Sequence, residues 1–166
     1  MQTTPKKITK QIVRWAAELS KQKLRYVRVD PDGLAGFCFM NCAKRVEDLG
    51  GRIIQGWLIW EGSLILEAEH HSVWCNDQNR LVDVTPTFDG EKKILFLPDL
   101  DLKVKLKGKE VEVMKNLIFP SRGKKVISLE SFRYPIFGEI TDKLIVMDEN
   151  SKDTIKRLYK DLAYGK

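Results

Sequence analysis

Gly50-Gly51 cuts the chain between a helical pattern and three strand-like runs in succession. Before the glycines, residues 38–49 read as a helix. Cys38, Asn41, Cys42 and Arg45 share one face by i, i+3, i+4 and i+7 spacing, and Ala43, Val46 and Leu49 offer a neighbouring surface for packing. The glycine pair is a C-terminal stop. After it come Arg52 to Trp60, Leu64 to Trp74 and Arg80 to Val84, with Pro86 ending the third run. The first is rich in β-branched and aromatic residues, as strands are. Asn76-Asp77-Gln78-Asn79 is a polar turn, so the second and third runs are expected to pair as an antiparallel hairpin.

The flanks extend this plan. Thr4-Pro5 is a helix start, with Thr as cap and Pro at the first helical position. Ile8, Ile12, Trp15, Ala16 and Leu19 then form one apolar face, and Lys21 and Lys23 suit the negative end of the dipole. Leu24 to Val29 alternates as a short strand, Pro31-Asp32-Gly33 is a turn, and Leu34 to Phe37 leads into Cys38. Beyond Pro86, Lys93 to Leu97 is a short apolar run. Leu102 to Val113 alternates about a turn at Gly108, with lysines on the face that water is expected to cover. Val126 to Phe132 is a further strand, Tyr134-Pro135 a loop, and Ser151 to Tyr164 a closing helix with Ile155, Leu158 and Leu162 inward. The expectation is a single α+β domain over 1–166. Its two leading helices pack on an antiparallel sheet, with a chemical core at about 34–86 and sheet completion plus the last helix at 87–166.

At 166 residues, 43% hydrophobic and 31% charged, the chain suits one folded domain. No apolar run approaches a membrane span of roughly 20 residues, and MQTTPKKITK lacks the apolar core of a signal peptide. A cytoplasmic location without a membrane partner is expected. Three cysteines, an odd number, argue against a disulfide framework. The net charge of +6 comes from scattered lysines, which implies a solvated surface and no compact nucleic-acid site.

Both histidines and all three cysteines fall between Gly36 and Pro86. A free thiol is only a few per cent thiolate at neutral pH. A helix N-terminus and a nearby imidazole favour the thiolate, and a carboxylate behind the imidazole fixes its tautomer. Cys38, a histidine of the second run and Asp83 of the third supply these groups without any cofactor. Backbone N–H groups at Cys38 and just before it would form an oxyanion hole. A hairpin closed around residues 77 and 78 places residue 71 opposite 84 or its neighbour, within side-chain reach of Asp83. His70 and His71 point to opposite faces of a strand, so only one meets Cys38. The other would be on the far face, exposed. Asn41, one turn after Cys38, either supports the same site or satisfies local backbone. Trp57, Trp60 and Trp74 either wall a cleft or fill the core. A rival arrangement gathers Cys38, Cys42, His71 and Cys75 as a Cys₃His zinc site, which leaves Asp83 idle and makes the protein a binding domain. A third reading has the cysteines as small core hydrophobes.

Cysteine at a helix start, histidine on a strand and a polar residue on the next strand resemble the papain-like superfamily. The compact spacing is similar to its NlpC/P60 and transglutaminase-like branches. The set CFMN, GGRIIQGWLIW, AEHHSVW and LVDVTP looks like a group of bacterial and phage proteins with Cys-x-x-Asn, Gly-Trp, Glu-x-His-x-Val-Trp and Asp-Val-Thr-Pro motifs. The resemblance covers residues 36 to 86. It implies Cys38 as nucleophile, His71 and not His70 as base, and Asp83 as the orienting acid. It also implies a thiol acyl-transfer enzyme, either a peptidase or amidase or a transglutaminase-like transferase. The substrate would be a peptide, protein or other amide or ester. Asp83 as third member is closer to the transglutaminase pattern than to the histidine common in NlpC/P60 peptidases.

Overall fold

The computed structural model describes residues 2–87 and 89–102, and beyond them 105–107, 110–112, 116–120, 127–128, 133–135, 139–140 and 145–146. The helix expected over 151–164 lies outside the described residues.

Helix α1 (Lys10–Leu19) starts later than Thr4-Pro5 suggests. Thr9 is its N-cap, and its hydroxyl accepts from the Ile12 N–H. Thr4 is occupied elsewhere: its N–H and hydroxyl both donate to the Glu91 carboxylate. That tertiary bond outcompetes a local cap. Strand β1 (Arg25–Val29), helix α2 (Cys38–Leu49), and strands β2 (Arg52–Glu61), β3 (Ile65–Cys75), β4 (Leu81–Asp83) and β5 (Lys93–Pro98) follow the sequence pattern to within a residue or two. Gly50 and Gly51 adopt φ of 73° and 85°, the left-handed region open to glycine, and so end α2 and turn the chain into β2.

The sheet is mixed and closed, not an open antiparallel one. Neighbours run β2-β5-β1-β4-β3, and β2 also pairs with β3, which shuts five strands into a barrel. All these pairs are antiparallel except β1 with β4, which run parallel with Val29 opposite Asp83. Alternation along a strand could not reveal this, because it reports the face of a residue and not its neighbouring strand. Strand β8 (Leu117–Pro120) extends the sheet from β3, and β9 (Ile127–Ser128) from β8. The lysine-rich hairpin forms as β6 (Lys105–Lys107) and β7 (Glu110–Glu112). Tyr134-Pro135, expected in a loop, belongs to β10 (Arg133–Pro135), paired with β7. Strands β11 (Glu139–Ile140) and β12 (Ile145–Val146) form a separate hairpin.

Alternate residues divide the barrel into two cores. Trp57, Ile59, Leu66, Ala68, Leu95 and Leu97 face outward and are covered by Ile12, Trp15 and Ala16 of α1. Val27, Val29, Leu58, Val73, Ile94 and Phe96 fill the interior. Each large side chain removed from water contributes about 1.5–3 kcal/mol. Helix α2 covers another part of the outer face through Cys42, which packs with Trp74 and Val84. Leu49, expected to pack, is 59% exposed instead.

Candidate active site

The register of β3 and β4 decides the chemistry. A hairpin centred between residues 77 and 78 would put residues 71 and 83 on opposite faces. The observed loop is wider. Asn76 N–H donates to the Arg80 carbonyl at 3.0 Å, and the Asn76 side chain accepts from the N–H groups of Gln78 and Arg80. Asn79 takes a φ of 59°, tolerable for asparagine. Trp74 therefore opposes Val82 and Cys75 opposes Leu81. This shift of one residue turns both His71 and Asp83 toward the barrel interior.

Strand β4 stops at Asp83, while β3 runs from Ile65 to Cys75. Beyond Asp83 the chain leaves the sheet, and β3 loses that partner beside His71. The α2 N-terminus reaches the opening with Cys38. A small cleft, open to solvent, is lined there by Cys38, His71, Asp83, Leu58, Trp60 and Glu69, with Gly36 and the segment Thr85-Pro86-Thr87 completing it.

His71 Nε2 lies 3.1 Å from Asp83 Oδ2. The two atoms are at contact distance but poorly aligned, so neither has a well-directed hydrogen bond in this resting arrangement. We read the pair as an electrostatic contact that a small ring rotation converts into a hydrogen bond. Asp83 is fully buried, and its Oδ1 accepts from the Thr85 N–H at 2.9 Å. With Nε2 turned to Asp83, Nδ1 is the ring nitrogen left to serve the thiol. Burial works against a charge on His71, but the Asp83 carboxylate and Cys38 outweigh it and hold the imidazole well above its ordinary 6.5. The balance favours the charged ring.

Cys38 opens α2 behind an N-cap, Phe37, whose side chain makes no capping bond, and the first turn carries no acidic residue. The Phe37 N–H, expected to help form an oxyanion hole, donates to the Leu34 carbonyl at 3.3 Å. The Cys38 N–H is left as the donor at this position from the expected pair.

Three expected support residues serve the scaffold. Asn41 is 1% exposed and faces the preceding loop: its Oδ1 accepts from Leu34 N–H, and its Nδ2 donates to Leu34 O and Thr85 Oγ1. It ties the segment before Cys38 to the segment after Asp83. Trp57 points outward into the α1 core and donates to Asp99 at 2.9 Å. Trp74 packs on Cys42 and Val84, donates to the Gly50 carbonyl, and carries Arg45 over its ring. Trp60, on the inward face of β2, is the tryptophan that lines the cleft.

The zinc arrangement is not formed. Among the described residues no group of three or more His, Cys, Asp or Glu is placed to hold a metal ion. Cys42 and Cys75 are in separate packed surroundings, Cys42 under Trp74 and Cys75 against the Asn76 carbonyl. All three cysteines are unpaired. Burial, then Cys38 and Asp83, push the Cys42 thiol well above its usual range.

His70 lies on the outer face, as strand alternation requires, but it is buried, not exposed. Phe39 of α2 meets it edge-on, and Gln55 Oε1 is 3.1 Å from Nε2. Burial, and secondarily the charge of His71, push His70 down to about 4. A lowered folded value means that the unfolded chain binds the extra proton first. Its contribution is complete above 6.5 and is lost as pH falls toward 4. The expected loss is about 3 kcal/mol. Urea midpoints should fall less for His70→Gln than for wild type across that window. Parallel acid arms for the two proteins would contradict the assignment.

Sequence reasoning gave no role to Glu69, Thr85 or Thr87. A usable signal was present for the first two, since Glu69 is two residues from His71 and Thr85 two from Asp83, each on the same face of its strand or extended segment. No protein-family model, curated protein or solved structure matches this chain. Among the described residues no helix is long and apolar enough to cross a membrane.

Proposed function

We propose that the protein is a thiol-dependent acyl-transfer enzyme of papain-like type, acting as a cysteine peptidase or amidase on a peptide, protein or other amide or ester. The observation that carries this reading is the joint presence of Cys38, His71 and Asp83 on one cleft, with the carboxylate fully buried behind the imidazole. Cys38 Sγ attacks the carbonyl carbon, and its proton resides on His71. The oxyanion is met by the Cys38 N–H at the α2 N-terminus. His71 then protonates the leaving group as the C–N or C–O bond breaks, which leaves a thioester on Cys38. Water, deprotonated by His71, hydrolyses the thioester. Asp83 stays ionised throughout and holds the ring.

Selective alkylation tests the nucleophile. Iodoacetamide at mildly acidic pH should label Cys38 ahead of Cys42 and Cys75, read by peptide mass mapping. Burial favours the same order, with Cys38 7% exposed against 0% and 1% for the others. Cys38→Ala controls for the assignment of the labelled peptide. Slow labelling of all three cysteines at one rate would remove the basis for the mechanism.

A further inference from the structure

Glu69 is the carboxylate in the cleft that the triad does not use. It sits on β3 two residues before His71, on the same inward face and about 7 Å along the strand. The charges acting on His71 are those of Asp83 and Cys38, and Glu69 is not one of them. Its Oε2 accepts from the Trp60 indole N–H at 2.8 Å, which fixes the carboxylate and stands the indole beside it. Among the described residues no Lys or Arg pairs with Glu69, and none lines the cleft. A half-buried carboxylate with a fixed orientation, beside an aromatic face, suits a cation that arrives from outside.

We propose that Glu69 and Trp60 form a specificity subsite for an ammonium or guanidinium on the acyl part of the substrate. This rests on the acyl-transfer reading of Cys38 and names the substrate class: amides or esters whose acyl group bears a lysine- or arginine-like side chain. The carboxylate takes the charge, the indole face covers the alkyl stem, and the carbonyl is held toward Cys38. The acyl part stays in the cleft as the thioester, so the same contact orients it for attack by water.

Alkylation by a matched pair of reagents tests this on the full chain. Lysine chloromethyl ketone and its uncharged norleucine counterpart, each N-acylated, differ only in the ammonium. In both the Cys38 sulfur bonds to the methylene carbon, the C–Cl bond breaks, chloride leaves with the electron pair, and the thiol proton is the one already held on His71. The lysine reagent should label Cys38 about tenfold faster, the effect of one charge-assisted hydrogen bond. In Glu69→Gln, which retains an oxygen for the Trp60 N–H, the ratio of the two rates should fall to about one. High salt should lower the wild-type ratio by screening, a readout independent of any variant. Equal rates for the two reagents in wild type, or an unchanged ratio in Glu69→Gln, would overturn the subsite while iodoacetamide labelling of Cys38 still stands. A Cys38 that resists iodoacetamide and both ketones would overturn the subsite and the acyl-transfer reading together.

Discussion

His71→Ala is expected to lower acylation of Cys38 by p-nitrophenyl acetate about 10²–10⁴-fold, the usual weight of a positioned general acid–base group. The ester is activated, so its leaving group needs little protonation, and the loss reports chiefly on formation of the nucleophile. The burst of p-nitrophenolate at high enzyme concentration measures the step directly. This variant also leaves the buried Asp83 carboxylate without its counter-charge and so loses stability; circular dichroism at the assay temperature shows whether it is folded when the burst is read. In wild type, leaving-group protonation on an unactivated amide should decline as pH rises through the folded value of His71, which lies well above 6.5. Asp83 and Cys38 hold the proton there against the opposing effect of burial. A burst in His71→Ala equal to that of wild type would sink the proposed base.

Asp83→Ala should cost about 3–5 kcal/mol of stability, because it leaves a buried imidazolium without its counter-charge. Asp83 is fully buried and His71 nearly so, so water cannot replace the lost carboxylate. The Thr85 N–H would also lose its acceptor. The pH dependence has a definite sign. A raised folded value makes the His71 contribution complete below 6.5, and it is lost as pH rises through the folded value. The difference between wild type and Asp83→Ala should therefore be largest in mild acid and shrink in alkali. Asp83→Asn retains an oxygen for Thr85 N–H and removes only the charge, which separates the electrostatic part from the packing part. Urea midpoints at stepped pH measure both variants. A midpoint for Asp83→Ala that matches wild type in mild acid would refute the ion pair.

The two histidines show how far strand alternation reaches. It places His70 and His71 on opposite faces, and the structure has them so. It says nothing of what covers each face. His70 meets Phe39 and Gln55 under α2 and is driven toward neutrality, while His71 meets Asp83 and is driven toward charge. Adjacent residues of one type thus titrate in opposite senses. The same limit explains the tryptophans. Three of the four belong to strand-like runs, yet Trp57 serves the α1 interface and Trp74 the α2 interface, while Trp60 reaches the cleft.

The sequence alone determined the local elements around the site. Periodicity marked α2, the glycine pair marked its end, and β-branched, aromatic and apolar runs bounded by turn signals marked β2 to β5, because each depends on residues a few positions apart. It also singled out Cys38, His71 and Asp83 as a set. The closed barrel, the parallel pairing of β1 with β4, and the register that turns His71 and Asp83 to one face were settled only in three dimensions. So was the placement of Glu69 beside Trp60 in the cleft. These depend on which distant strands become neighbours and on one residue of turn geometry at Asn76 to Arg80, and neither leaves a periodic mark in the chain.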